Sequence, residues 1–169
     1  MEPKRTRNLE PWLSAIIIIL TIFLIFAYYN RWFSFAALIG LDDIIHYAAI
    51  AGTLYIAFEV ILFAVLKRRY PNKYKVLLRI HTLGNLLAFL LISLHFAGEV
   101  GSPANDYPPL GTGLALYIAM VLLVSTGLAF RFRLFRSLTP ATNRFVHAGL
   151  AFTFYLIIFV HILHGLEII

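Results

Sequence analysis

The sequence predicts an all-α integral membrane protein with five transmembrane helices. Hydrophobic residues make up 61% of the 169 residues and charged residues only 13%, against roughly 45–50% and about 25% in soluble domains. The mean hydropathy is +0.85. This composition excludes a water-soluble enzyme, a disordered tail and a collagen-like chain. Because the sequence contains no cysteine, disulfides, thiol nucleophiles, iron–sulfur ligands and cysteine-based zinc sites are excluded as well.

Five apolar stretches are each long enough to cross a bilayer, which takes about 20 residues of helix. The first contains the nearly unbroken run "IIIILTIFLIF", and it is not an obvious signal peptide because it lacks an A-x-A-type cleavage site. Polar clusters and turn signals such as "RRYPNK", "GSPANDYPP" and "SLTPATN" separate later stretches. We expect a single membrane domain, 1–169, with spans at residues 12–29, 44–66, 76–98, 111–130 and 145–166.

The charged residues separate by side when the chain crosses the membrane five times. All of the 14 basic residues except Arg31 then fall on one side, and the other side holds Asp42, Asp43, Glu99, Asp106 and Glu167. The positive-inside rule predicts an inner N-terminus and an outer C-terminus, in the cell membrane. This segregation explains the net charge of +6 and the pI near 9.8 without nucleic acid as a partner.

Four of the six histidines form two pairs with the same spacing. His81 and His95 are 14 residues apart on the third span, and His147 and His161 are 14 apart on the fifth. Fourteen residues fall about 40° short of four helical turns, so both members of a pair project from nearly one face, about 21 Å apart along the axis. Since these two spans run parallel, we expect His81 level with His147 near the inner surface and His95 level with His161 near the outer surface.

Two pairs of facing imidazoles at two depths suit the axial ligation of heme iron, which takes ligands on opposite faces of a planar ring. Zinc would need four ligands converging on one point, and these levels are too far apart. A proton relay gives no reason to duplicate the spacing. The remaining alternative is a set of structural histidines that hydrogen-bond across the bundle, although ionisable groups inside a membrane are functional candidates by default.

Four glycines lie close to these histidines in the sequence. Gly84 and Gly98 each follow a histidine of the third span by three residues, and Gly149 and Gly165 follow those of the fifth span by two and four. Glycine lets a large flat ring approach a helix backbone closely, which favours a cofactor. The alternative is that these small residues serve helix–helix packing in the membrane.

Two stretches of the sequence, "RIHTLGNLLAFLLISLHFAG" (79–98) and "RFVHAGLAFTFYLIIFVHILHG" (144–165), resemble the paired bis-histidine helices of diheme membrane b-type cytochromes. Two families share this pattern: the ferric-reductase-like transmembrane domain of NADPH oxidases and ferric reductases, and the cytochrome b of quinol:cytochrome c reductases. The predicted orientation is similar to that of the first family, as is the ending "HGLEII" (164–169). The resemblance covers roughly residues 44–168 and implies a four-helix bundle with two b hemes, beside an N-terminal span.

Further polar residues are candidates for the surroundings of these hemes. Arg79 and Arg144 lie at the inner edge, where heme propionates would point and arginine could bind a carboxylate through two hydrogen bonds; they could equally be ordinary positive-inside residues. His164 follows His161 by three residues. It could replace His161 as a ligand, hydrogen-bond a propionate or lie at the outer interface.

Two residues of the second span are candidates for a quinone or proton site. His46 opens that span at the level of the outer heme, where it could line a quinone or acceptor pocket or simply bond water or Asp42 and Asp43. Glu59 is the one carboxylate well inside a span. We expect it to be protonated or paired, with Arg79 or the region of an inner-heme propionate as a plausible partner, or to supply protons to a quinone.

The sequence therefore predicts a diheme b-type cytochrome that carries single electrons between an inner donor and an outer acceptor. It could be the transmembrane component of an oxidoreductase system. The expected partners are membrane lipid, a soluble or membrane redox protein and a quinone, and the chain could form oligomers. One alternative is a quinol-oxidising or quinone-reducing cytochrome b subunit of a respiratory complex. Others are a non-redox proton channel or transporter that uses histidines, and a sensor or carrier that binds one heme reversibly.

Overall fold

The computed structural model describes residues 9–33, 44–101, 111–134 and 139–165. Within these segments the regular secondary structure is helical, and five helices are long and apolar enough to cross a membrane. The predicted fold class is confirmed to this extent. The helices are α1 Glu10–Tyr29, α2 Ile44–Arg69, α3 Tyr74–Val100, α4 Gly111–Phe132 and α5 Pro140–Gly165, with a 3₁₀ turn at Pro71–Lys73 between α2 and α3.

Several helices extend past the apolar stretches that predict them. Helix α2 continues through three basic residues, Lys67, Arg68 and Arg69, because cations are favourable at the negative end of the helix dipole. Helix α5 begins at Pro140 rather than at residue 145. Proline suits the first turn of a helix, and the backbone N–H of Thr142 donates to Thr139 Oγ1 at 3.1 Å, which satisfies one unpaired donor there. The predicted end of this span, residue 166, lies outside the described residues.

Helix α3 is the central helix of the bundle. It packs along α2 and α1 and more lightly against α4, while α5 packs along α4. Helix α5 also reaches α2, since the Tyr155 hydroxyl donates to the carbonyl oxygens of Ile56 and Ala57 at 3.1 and 3.2 Å. The end of the bundle where α2 terminates in Lys67–Arg69 is called the basic end below, and the opposite end, where Arg31 Nη2 donates to the Gly101 carbonyl at 2.9 Å, is called the far end.

A buried carboxylate fastens α1 to the basic end. Glu10 is 2% exposed, and its two oxygens accept hydrogen bonds from Arg131 of α4, with Nε–Oε1 at 2.7 Å and Nη2–Oε2 at 2.5 Å. Arg79 of α3 lies 3.7 Å from the same carboxylate through its Nε atom. Helices α1, α3 and α4 are therefore joined at one point, and the first span is an integral part of the bundle.

An apolar layer fills the middle of the bundle. It contains seven buried residues from α2 to α5: Ile56, Ala88, Phe89, Ile92, Leu116, Met120 and Phe154. Ala88 lies midway along α3 between the two histidines of that helix, and Phe154 lies midway along α5 between the other two. The two levels of histidines are thus separated by packed aliphatic and aromatic side chains.

Candidate heme-ligand histidines

Each of the four spaced histidines lies within electrostatic range of its expected partner. The imidazoles of His81 on α3 and His147 on α5 lie close enough to interact electrostatically, and so do those of His95 on α3 and His161 on α5. All four side chains are partly buried. Each pair therefore combines one imidazole from each of two parallel helices, one pair near the basic end and one near the far end.

Helix α4 carries a repeat that matches the spacing of the histidines on α5. The dipeptide Thr-Gly occurs at residues 112–113 and again 14 residues later at 126–127. Thr126 Oγ1 lies 3.2 Å from His147 Nδ1, and Thr112 Oγ1 lies 3.1 Å from His161 Nδ1. In the tautomer that carries its proton on Nδ1, each imidazole donates to the threonine hydroxyl. These threonines are not among the residues predicted from the sequence, although their spacing of 14 is a signal that could have identified them.

The glycine of each Thr-Gly dipeptide makes room for the same imidazole. A β-carbon at Gly127 would lie 3.0 Å from His147 Cε1, which is closer than ordinary van der Waals contact. At Gly113 the corresponding distance to His161 Cε1 is 3.5 Å. Glycine inside a helix costs about 1 kcal/mol relative to alanine, so the close approach of the ring explains why glycine stands at position 127.

His81 is held from three directions. Its Nδ1 atom lies 2.8 Å from Glu59 Oε2 and 3.1 Å from Asn85 Nδ2. Asn85 also donates to Glu59 Oε2 at 2.9 Å. The ring of Phe63 stacks on the imidazole, with 4.4 Å between ring centroids and 17° between planes. These contacts fix both the plane and the rotation of the imidazole ring.

Glu59 does not contact Arg79, one of its two expected partners. Glu59 is buried and contacts His81 and Asn85 instead. Arg79 and His81 are two residues apart, which is about 200° around a helix, so they face different neighbours. Arg79 points to Glu10 of α1, whereas His81 and Asn85, one turn apart, point to Glu59 of α2.

His95 has a different set of neighbours at the far end. Its Nδ1 atom lies 3.7 Å from Glu99 Oε1, one turn further along α3. The ring of His46 meets the His95 ring edge to face, with 5.2 Å between centroids and 79° between planes. His46 is exposed. The expectation that His46 lies at the level of the outer pair agrees with this contact.

The two histidines at the end of α5 have different environments. His161 is partly buried and contacts Thr112, whereas His164 is exposed. Of the two, His161 is therefore the one that faces the interior of the bundle and its partner His95. His164 lies near enough to His161 to interact electrostatically with it.

The other predicted residues lie as follows. Gly84 accommodates the Tyr55 hydroxyl of α2, and Gly98 accommodates Tyr28 of α1, whose Cε1 atom would stand 2.9 Å from an added β-carbon. Both glycines thus receive tyrosine rings from neighbouring helices. Nothing lies within 4 Å of a β-carbon built at Gly149, and the surroundings of Gly165 are outside the described part of the structure. Arg144 is exposed, and its Nε atom donates to the Pro140 carbonyl of its own helix at 3.2 Å.

The arrangement offers metal ligands in pairs. Within the described segments, no group of three or more His, Asp or Glu side chains is placed to hold a metal ion. Three of the four imidazoles make hydrogen bonds through Nδ1, with Glu59, Thr126 and Thr112 as partners. A contact through Nδ1 directs Nε2, on the other side of the ring, toward a ligand, which is the usual arrangement for metal-binding histidine.

Comparison with protein-family models, with curated proteins and with solved structures gave no match. Over the described residues, the fold and the site define a helical protein with five helices of membrane-spanning character and two levels of histidines.

Proposed function

We propose that this chain is a diheme b-type cytochrome that carries single electrons across a membrane. The observation that carries the proposal is a spacing of 14 residues that occurs on three helices. It separates the histidines of α3, the histidines of α5 and the Thr-Gly dipeptides of α4 that contact the α5 histidines. Histidines with a purely structural role would not need the same spacing on a second helix. Two cofactors stacked at two depths do need it, because each requires the same set of surrounding residues.

The residues present fit two b hemes. His81 and His147 would bind one heme near the basic end, and His95 and His161 would bind the other near the far end. The Nδ1 contacts with Glu59, Thr126 and Thr112 orient the imidazoles and increase their basicity as ligands. Bound heme supplies the one-electron chemistry of its iron. In this proposal α2 to α5 form the heme-binding bundle, and α1 packs beside it.

A buried apolar layer that includes Phe89, Met120 and Phe154 lies between the two levels. Tyr117 extends this layer toward the far end, since its ring stacks on Phe96 with 4.0 Å between centroids and its hydroxyl donates to Ser93 Oγ at 3.2 Å. Packed side chains of this kind hold two redox centres at a fixed separation without opening a path for solvent.

The distribution of charge supports a sided arrangement in the cell membrane, with the basic end inside. The exposed cations there include Lys67, Arg68, Arg69, Lys73 and Lys75. They would attract anionic lipid headgroups or an acidic redox protein. In this proposal a flavoprotein or a quinol donates electrons at the basic end, and a metal ion, an oxygen species, a quinone or a partner protein accepts them at the far end.

The first test is a reduced-minus-oxidised absorption spectrum of the purified full chain, with heme counted as its pyridine hemochrome. We expect two low-spin b hemes per chain in the native protein and one in His81→Ala. Thr82, next to His81, provides a control because its hydroxyl bonds only the Leu78 carbonyl of its own helix, and Thr82→Ala should retain both hemes. A well-folded native protein without heme would overturn the proposal and favour a histidine-lined proton pathway.

A second test addresses transport. The full chain is reconstituted into vesicles that contain ferricyanide, and dithionite is added outside. Native protein should reduce the trapped ferricyanide, and His81→Ala should reduce it far more slowly. Equal rates for the two proteins would show that the heme levels are not an electron path.

A further inference from the structure

The two histidine levels differ in the charge that faces the histidine of α3. At the basic end, Glu59 Oε2 lies 2.8 Å from His81 Nδ1, and the Glu59 side chain is 10% exposed. At the far end, Glu99 Oε1 lies 3.7 Å from His95 Nδ1, beyond hydrogen-bonding distance, and its side chain is 42% exposed. The α5 histidines show no such difference, because each contacts a neutral threonine hydroxyl.

Glu59 is held in position to act on His81. Asn85 Nδ2 donates to the same carboxylate oxygen that faces the imidazole, at 2.9 Å. The other partner of this contact, the His81 ring, is held by Phe63, which stacks on it with 17° between the two ring planes. The carboxylate and the Nδ1 atom therefore meet in a fixed geometry rather than through a mobile surface pair.

A carboxylate that accepts the Nδ1 proton of a ligand histidine makes that imidazole more basic and stabilises the more positively charged, oxidised metal. The second-shell hydrogen bond is one of the means by which a protein sets the reduction potential of a heme. The effect is larger for a buried charge than for an exposed one, because solvent screens the exposed charge. Glu59 is within hydrogen-bonding distance of the histidine of α3 at its level and is buried, whereas Glu99 is neither.

We infer that Glu59 is a positioning residue that lowers the reduction potential of the heme bound by His81 below that of the heme at the far end. This inference rests on the proposed function and adds the residue that sets the difference between the two potentials.

The first experiment compares two full-length variants, each of which should retain only one of the two hemes. His161→Ala should keep the basic-end heme, and His81→Ala should keep the far-end heme. Potentiometric titration should give the lower midpoint potential for His161→Ala. The reverse order, or equal midpoints, would overturn the inference. This comparison involves no substitution of Glu59, so it decides the question even where a Glu59 variant fails to fold.

The second experiment assigns the difference to Glu59. In the His161→Ala background, Glu59→Gln should shift the reduction equilibrium toward the reduced form about tenfold, which is about 59 mV for a one-electron couple. Glu59→Asp keeps the carboxylate and should give an intermediate midpoint. The matched control is Glu99→Gln in the His81→Ala background, where we expect a smaller shift. An unchanged midpoint in Glu59→Gln would overturn the role of this residue.

Electron paramagnetic resonance of the oxidised proteins gives an independent readout, since the g values of a bis-histidine heme depend on ligand basicity. Glu59→Gln should change the g values of the basic-end heme, and unchanged values would count against the inference. The two proposals fail in different ways. A native chain without heme would overturn the proposed function, whereas two hemes with the wrong order of midpoints would overturn only the inference about Glu59.

Discussion

The imidazole of His147 lies directly against Gly127 of the neighbouring helix, where an added β-carbon would stand 3.0 Å from Cε1. The hydroxyl of Thr126, the preceding residue, contacts Nδ1 of the same ring at 3.2 Å. One dipeptide thus provides both the space for the ring and the contact that sets its rotation. The same relationship recurs with Thr112, Gly113 and His161.

Gly127→Leu should remove the heme at the basic end and retain the one at the far end. The new side chain would occupy the position of the His147 ring and turn its Nε2 atom away from the heme site. Pyridine hemochrome analysis should give one heme per chain instead of two. Ser125→Leu is the control, since Ser125 lies on the same helix and its side chain is exposed. Retention of two hemes in Gly127→Leu would contradict the role assigned to this glycine.

Thr126→Val should weaken heme binding at the basic end about tenfold, the lower part of the range for loss of a second-shell contact. The side chain keeps its shape, but His147 Nδ1 loses its hydroxyl partner. The measurement is the rate of heme loss to an excess of apomyoglobin. Thr82→Val is the control, because the Thr82 hydroxyl donates to the Leu78 carbonyl of its own helix at 2.9 Å. Similar rates for both variants would argue against a specific role for Thr126.

His161→Ala should lose one heme, and His164→Ala should keep both. His161 is partly buried and contacts Thr112, while His164 is exposed. Absorption spectra and heme counts of the two purified variants measure the difference. Loss of a heme in His164→Ala, with retention in His161→Ala, would reverse the assignment of the ligand.

Glu10→Gln should lower the free energy of unfolding by about 3 kcal/mol. The substitution removes the charge of a buried carboxylate whose partner Arg131 is 26% exposed, so the loss lies at the lower end of the about 3–5 kcal/mol for breaking a buried pair. Thermal unfolding in detergent, followed by circular dichroism, measures the loss. The control is Arg79→Gln, whose side chain is 59% exposed and 3.7 Å from Glu10; a surface pair contributes at most about 1 kcal/mol. A larger loss in Arg79→Gln than in Glu10→Gln would show that the roles are reversed.

The proposed orientation can be tested by labelling, because the natural sequence contains no cysteine. Single cysteines are introduced at Lys73, which is exposed at the basic end, and at Trp32, which is 63% exposed at the far end. A membrane-impermeant maleimide added to intact cells should label Trp32→Cys and leave Lys73→Cys unlabelled until the cells are broken. The opposite pattern would reverse the topology and place the basic end outside.

The helices could be predicted from the sequence because a membrane imposes long apolar stretches with polar breaks between them. The level of each histidine followed from helix geometry, since 14 residues always return to nearly the same face. The ends of the helices were less predictable. The polar segments "LKRR" and "PATN" look like connections, yet both continue helices, because cations favour the end of α2 and a threonine cap starts α5.

Contacts between helices were harder to predict than positions along one helix. His81 and Asn85 share a face by their spacing of four, but nothing in the sequence shows that α2 turns Glu59 toward them. In the same way, Glu10 meets Arg131 across 121 positions of the chain. Rotation of each helix about its axis depends on the packing of every neighbour, and that information is not contained in the pattern of one helix. The Thr-Gly repeat of α4 was readable, but only once the spacing of 14 was sought outside the histidines.

The apolar layer around Phe89 and Phe154 has a consequence for how electron transfer would respond to the membrane voltage. Close packing of this kind leaves no continuous path for ions or water, so in the proposed function the membrane would stay insulating around this protein. In the proposed function, each electron that passes from one level to the other moves a charge through that insulating layer. The transfer then does work with or against the membrane voltage, about 2.3 kcal/mol per 100 mV for a charge that crosses the whole membrane. The speed of electron flow would accordingly depend on how strongly the membrane is energised.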